Sequence, residues 1–233
     1  MKDNKISILN SVRFMLGYRC VCFVLIVTGI ISNIIWHLND KYPEEFVYYT
    51  LQSNIICAIV MMMFIINNIK LIKNGKTSGR QEKYITLEYG VSIWILITCL
   101  VYNVLLGSPF EASYWTTSLH NPILHLFGPI MFILDFFLFA KHGTKKNWSI
   151  MLSVVYPYIY IAYIMIRGLI LGNIYNGNIP QDFVVYPYFF LNVDELGYDG
   201  MLIWVAKLTV VFVGLGFIFL VVDRLIAKRA NRE

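Results

Sequence analysis

The chain has 233 residues, 58% hydrophobic, 16% aromatic and only 14% charged, with a mean hydropathy of +0.63. That balance is far from a soluble domain's and points to an integral membrane protein. The net charge of +5 does not imply a nucleic-acid partner, because the basic residues are divided among loops rather than gathered into one patch.

Six apolar runs are long enough to cross a bilayer, which takes roughly 20 residues at 1.5 Å rise each. They cover about Tyr18 to His37, Phe46 to Ile72, Tyr84 to Gly107, Ser118 to Ala140, Trp148 to Gly172 and Gly200 to Ile226. No stretch between them is long enough for a separate soluble domain. Residues 1–233 therefore read as one all-α domain, a polytopic bundle of six transmembrane helices. The basic start before the first run has no small-residue cleavage site and reads as retained. Cys20, Cys22, Cys57 and Cys99 fall inside apolar runs and read as small buried hydrophobes.

The loops set the orientation. Lys2, Lys5 and Arg13 precede the first span, and Asp40, Lys41, Glu44 and Glu45 follow it. Lys70, Lys73, Lys76, Arg80 and Lys83 lie after the second, and Glu111 alone after the third. Lys141, Lys145 and Lys146 follow the fourth, Asp182, Asp194, Glu195 and Asp199 the fifth, and Arg224, Lys228, Arg229 and Arg232 the sixth. Basic and acidic loops alternate, so the positive-inside rule predicts both termini inside and the acidic loops outside.

On that reading every span carries polar groups in its outer half. Thr50 lies about a turn below the outer surface on the second span, followed by Gln52, Ser53 and Asn54. Tyr102 and Asn103 close the third. The fourth span carries His120, Asn121, His125 and Asp135 among its apolar residues, with Pro122 and Pro129. Pro129 has no N–H for the carbonyl of His125, which predicts a kink and a freed carbonyl there. On the fifth span Tyr156, Tyr160, Tyr163 and Arg167 share one face, and Lys207 lies about two turns into the sixth. FVVYPYFFL, before the sixth span, is too short to cross and too apolar for a free loop; it reads as an interfacial or re-entrant lid.

A threonine becomes a nucleophile only where a base takes its proton, and histidine is the usual base near neutral pH. Thr50 and His125 reach the same outer depth on different spans. The structural alternatives are back-bonding of Thr50 to the carbonyl of Phe46 and an interhelical hydrogen bond for His125. Arg167 and Lys207 could hold a lipid carboxylate or phosphate, or snorkel and pair with Asp194, Glu195 or Asp199. Arg19 and Asp135 read as a structural pair at the inner face. The Asn67–Asn68 pair and the methionines at 61–63 read as rim and packing. There is no HExxH, no Cys/His metal set, no Walker loop, no GxSxG and no dinucleotide fingerprint, so no metal or other cofactor is implied.

YYTLQSN opens the second span, HNPILHLFGPIMFILDF forms most of the fourth and YPYFFLNV precedes the sixth. With these motifs in this order, the chain resembles the six-span membrane family of the androgen-induced protein and the androgen-dependent regulator of tissue-factor-pathway inhibitor, including its bacterial branch. The family's animal members are threonine hydrolases of fatty-acid esters of hydroxy fatty acids. The resemblance implies Thr50 as nucleophile and His125 as base, with His120 a competitor for that role. It also implies a membrane lipid ester as substrate and, for the bacterial branch, the plasma membrane. Asn54, Asn103 or Lys207 would assist the oxyanion or hold a carboxylate, with Arg167 a further substrate-binding candidate. The rival expectation is a non-catalytic carrier or sensor that binds a lipid or small amphiphile in the same pocket.

Overall fold

The computed structural model describes residues 8–40, 44–107, 109–180 and 182–230. Lys2, Lys5, Lys41 and Arg232, which entered the charge argument, lie outside the described residues. The helices are α1 (Val12–Trp36), α2 (Tyr49–Lys73), α3 (Ile85–Leu106), the short α4 (Ala112–Thr116), α5 (His120–Phe139), α6 (Asn147–Ile174) and α7 (Val193–Ala230). All but α4 are long and apolar enough to span a membrane. The protein is an all-α polytopic bundle. α7 is two helical pieces joined at Gly197, whose φ of +65° suits glycine; the apolar piece begins where the sequence placed the sixth span.

α3 lies at the centre, packing against α2, α5, α6 and α7, while α1 runs along α2 and also meets α5. Between apolar helices in lipid there is little hydrophobic drive to associate. Close packing and interhelical hydrogen bonds do that work, the bonds contributing about 0.6 to 2 kcal/mol each. Such bonds are spread through the bundle. The Tyr89 hydroxyl donates to the Gly216 carbonyl at 2.6 Å, and the Trp94 indole donates to the Leu152 carbonyl at 2.6 Å. Tyr18 donates to the Met131 carbonyl at 2.8 Å.

α1 starts earlier than hydropathy predicted because its charges are accommodated. Ser11 caps it, accepting from the Phe14 N–H. Arg19, fully buried, donates to Asp135 through Nε and Nη2, both at 2.9 Å. Its Nη1 donates to Asn68 Oδ1 at 2.9 Å and to Gln81 Oε1 at 3.2 Å. Asn68 is thus not rim but part of this cluster, a correction to the sequence reading. At the same end Asp223 accepts from Lys145 at 3.1 Å and from the Gly143 N–H at 3.0 Å, and bonds His142 at 2.8 Å. Those bonds clasp the α5–α6 loop to α7.

Candidate functional site

The far end of the bundle, which carries the acidic loops, holds the site. Its first component is the start of α2, positioned by the polar face of α6. Tyr160 donates to the Val47 carbonyl at 2.9 Å, and Tyr156 donates to Gln52 Oε1 at 2.9 Å. Arg167 pairs with Glu44 and also donates to the carbonyls of Val184 and Val185. The α6 stripe therefore fixes the entry of the chain into α2 at three heights. Thr50 sits in the first turn of α2. Phe46 lies before that helix, in a 3-10 turn, and its carbonyl accepts from the Gln52 side chain instead. The Thr50 hydroxyl makes no bond to that carbonyl and lies against Tyr188.

The second component is α5. Over Ile123–Phe127 the helix widens to a π turn, in which the Gly128 N–H reaches back to the Ile123 carbonyl. π turns of this kind are frequent at functional sites. The missing N–H of Pro129 leaves the His125 carbonyl free, as the sequence predicted, and Asn103 Nδ2 donates to it at 2.9 Å. Asn54 Nδ2 donates to the neighbouring Leu124 carbonyl at 3.1 Å. A second π turn, Tyr102–Leu106, ends α3 opposite the first. Across this junction the Tyr102 and His125 rings stack, 3.4 Å between centroids and 15° from parallel.

His125 is held by both of its neighbours. Its Nδ1 is 2.9 Å from the Asn121 carbonyl, which can only accept, so Nδ1 carries the proton and Nε2 is left as a free acceptor. That tautomer suits a base. No hydrogen bond joins it to Thr50.

Two cavities meet at Thr50. One, the more polar of the two, has about 250 Å³ and is lined by Asn33, His37, Glu45, Thr50, His120 and His125 among others. The second, of about 60 Å³, is almost wholly apolar and runs between α3, α6 and α7 past Ile97, Val154, Ile161, Leu208 and Phe212. Thr50, Tyr102, Leu106 and Tyr188 belong to both walls. FVVYPYFFL forms part of the partition. Tyr188, Phe190 and Leu191 are buried in the bundle, and Tyr188 contacts the Thr50 side chain.

The structure thus brings Thr50, His125 and His120 to one cavity. The other candidates have different places. Asn54 and Asn103 line neither cavity, and each side-chain NH₂ is already bonded to two backbone carbonyls. They position the site and have no spare donor for an oxyanion. Arg167 clamps the lid, and its acid is Glu44 rather than Asp194, Glu195 or Asp199. Lys207 lies over the Trp204 ring at 4.9 Å, also outside both cavities. Sequence reasoning missed Tyr188 as a wall of the site and Glu45 as a cavity group. The burial of YPYFF in a chain segment too short to span was the available signal for Tyr188.

No family model matches this chain, and no solved structure matches it. It is similar to "uncharacterized protein MG452" of Mycoplasma genitalium, 25% identical over 176 residues. The match takes in 71% of this chain and 62% of that relative, so the chain spans less than two thirds of the relative's length.

Proposed function

We propose that the protein is an intramembrane lipid-ester hydrolase in which Thr50 is the nucleophile and His125 the base. The observation that carries the proposal is the position of Thr50 at the junction of a polar and an apolar cavity, with His125 in the polar one. An amphiphile with an acyl chain in the apolar limb and its polar portion in the other limb has its ester linkage at Thr50. His125 Nε2 takes the hydroxyl proton as Thr50 Oγ1 adds to the ester carbonyl, then returns it to the departing alcohol oxygen. Water, deprotonated by the same nitrogen, releases the acid and restores Thr50. The Tyr188 hydroxyl, beside Thr50, is the candidate donor to the developing oxyanion. The enzyme class rests on the resemblance to the threonine hydrolases, and the similarity to a Mycoplasma protein is consistent with a bacterial plasma membrane.

The second reading is a carrier or sensor that binds the same amphiphile without cleaving it. It is favoured by the lack of a hydrogen bond between Thr50 and His125. A fluorophosphonate probe separates the two. With the purified chain in nanodiscs, covalent label mapped by mass spectrometry to Thr50 supports the hydrolase. Saturable lipid binding with no label on Thr50 supports the carrier.

A further inference from the structure

We propose that the mouth of the polar cavity binds a divalent first-row metal ion of the zinc type, ligated by His37, Asp40 and Glu45, with His120 as fourth donor. The site is independent of the hydrolase reading, and the sequence motifs gave no sign of it. His37 closes α1, Asp40 lies in the turn beyond, and Glu45 opens the 3-10 turn that leads into α2. One ligand atom from each lies within 4.8 Å of the others. His37 Nδ1 is 2.7 Å from Asp40 Oδ2 and 3.6 Å from Glu45 Oε1. Tetrahedral ligands at zinc lie about 3.4 Å apart, so these three atoms need shift little to accept an ion.

Charge points the same way. Glu44, the neighbouring acid, is neutralised by Arg167. Asp40 and Glu45 have no lysine or arginine partner among the described residues, and both carboxylates converge on one imidazole. A dication cancels that pair of charges. Exposure is graded from solvent inward, with side chains 53% exposed at Asp40, 34% at His37 and 9% at Glu45. An ion can therefore enter from outside and be held at the cavity wall.

His120 is the independent observation. It is more than nine-tenths buried, and its Nδ1 has no hydrogen-bond partner. Its ring centroid is 6.0 Å from that of His37, in the wall of the same cavity as Glu45. A buried nitrogen without a partner is costly; His120 stands outside the 4.8 Å group of His37, Asp40 and Glu45, so its ligation requires the ring to move toward the ion. Two imidazoles and two carboxylates suit zinc and its first-row neighbours better than magnesium or calcium, which favour all-oxygen shells.

The test uses the full chain in nanodiscs, stripped with a chelator and titrated with Co²⁺, then Zn²⁺. We expect saturable binding of one Co²⁺ per chain, with the visible absorption of a low-coordinate nitrogen and oxygen site, displaced by Zn²⁺. His37→Ala and Glu45→Gln should each weaken binding by about 10-fold or more. Glu82→Gln, an exposed acid paired with Lys141 in the loop before α3, should leave it unchanged. X-ray absorption of zinc bound to the unaltered chain serves if the variants do not fold, and should give a nitrogen and oxygen shell with imidazole. Absence of saturable binding would overturn the proposal. A sulfur-containing shell, pointing to the exposed Cys20, would overturn it equally.

Discussion

Arg19 is a guanidinium with no exposure, and it persists in an apolar helix because four side-chain acceptor atoms surround it. Removing one partner leaves the other charge buried alone. Arg19→Met should therefore destabilise the folded protein by about 3–5 kcal/mol. Arg19→Met combined with Asp135→Leu should cost clearly less than the sum of Arg19→Met and Asp135→Leu made singly. Unfolding in mixed detergent measures both. The pair was legible in the sequence because charges inside apolar runs are few and must find each other. Asn68 was not, because an amide at the end of a span reads equally well as surface. Thr50 and His125 were legible as polar residues at one depth. The tautomer of His125 was not, since it depends on the Asn121 carbonyl reached only through the local winding of α5.

Among the elements, α5 carries the most local information. Pro129 announced a freed carbonyl, but the sequence suggested a kink where the helix instead widens into a π turn. The difference lies in what receives the free groups. Asn103 and Asn54 donate to successive carbonyls, so the extra residue is absorbed without breaking the helix. Gly128 makes the turn possible. A Cβ there would lie 2.9 Å from the Ile123 carbonyl and 3.3 Å from Ile26 on α1. Gly128→Ala should therefore cost about 1–3 kcal/mol through overpacking and disturb the stacking of Tyr102 on His125. A loss of thermal stability with a changed tyrosine fluorescence is the expected observation; wild-type values of both would mean that the π turn tolerates a side chain. The polar stripe of α6 was visible in the spacing of Tyr156, Tyr160 and Arg167. Its role in seating the start of α2 was not, because that role depends on contacts more than 100 residues apart in the chain.

For the molecule as a whole, six spans were readable from hydropathy, and their ends shifted mainly where a charge is buried or a cap is present. The lid was readable as a segment too apolar for solvent. Its seat between two cavities required the three-dimensional packing. The alternation of basic and acidic loops gives a definite expectation for orientation. In intact cells a cysteine introduced at Asn178 should react with an impermeant thiol reagent, and one at Lys76 should not. The reverse pattern would invert the bundle and turn the cavities toward the cytoplasm.

The most direct measurement of the central claim is turnover by purified Thr50→Ala, His125→Ala and the double variant on a panel of long-chain fatty-acid esters. Two groups that act as one unit lose their effect together, so each single change should abolish hydrolysis and the double should be no worse than either. Thr50→Ser should retain part of the activity, because the oxygen survives while the methyl group that restricts its rotamer is lost. Wild-type turnover by Thr50→Ala on an ester that the parent cleaves would contradict the assignment of the nucleophile.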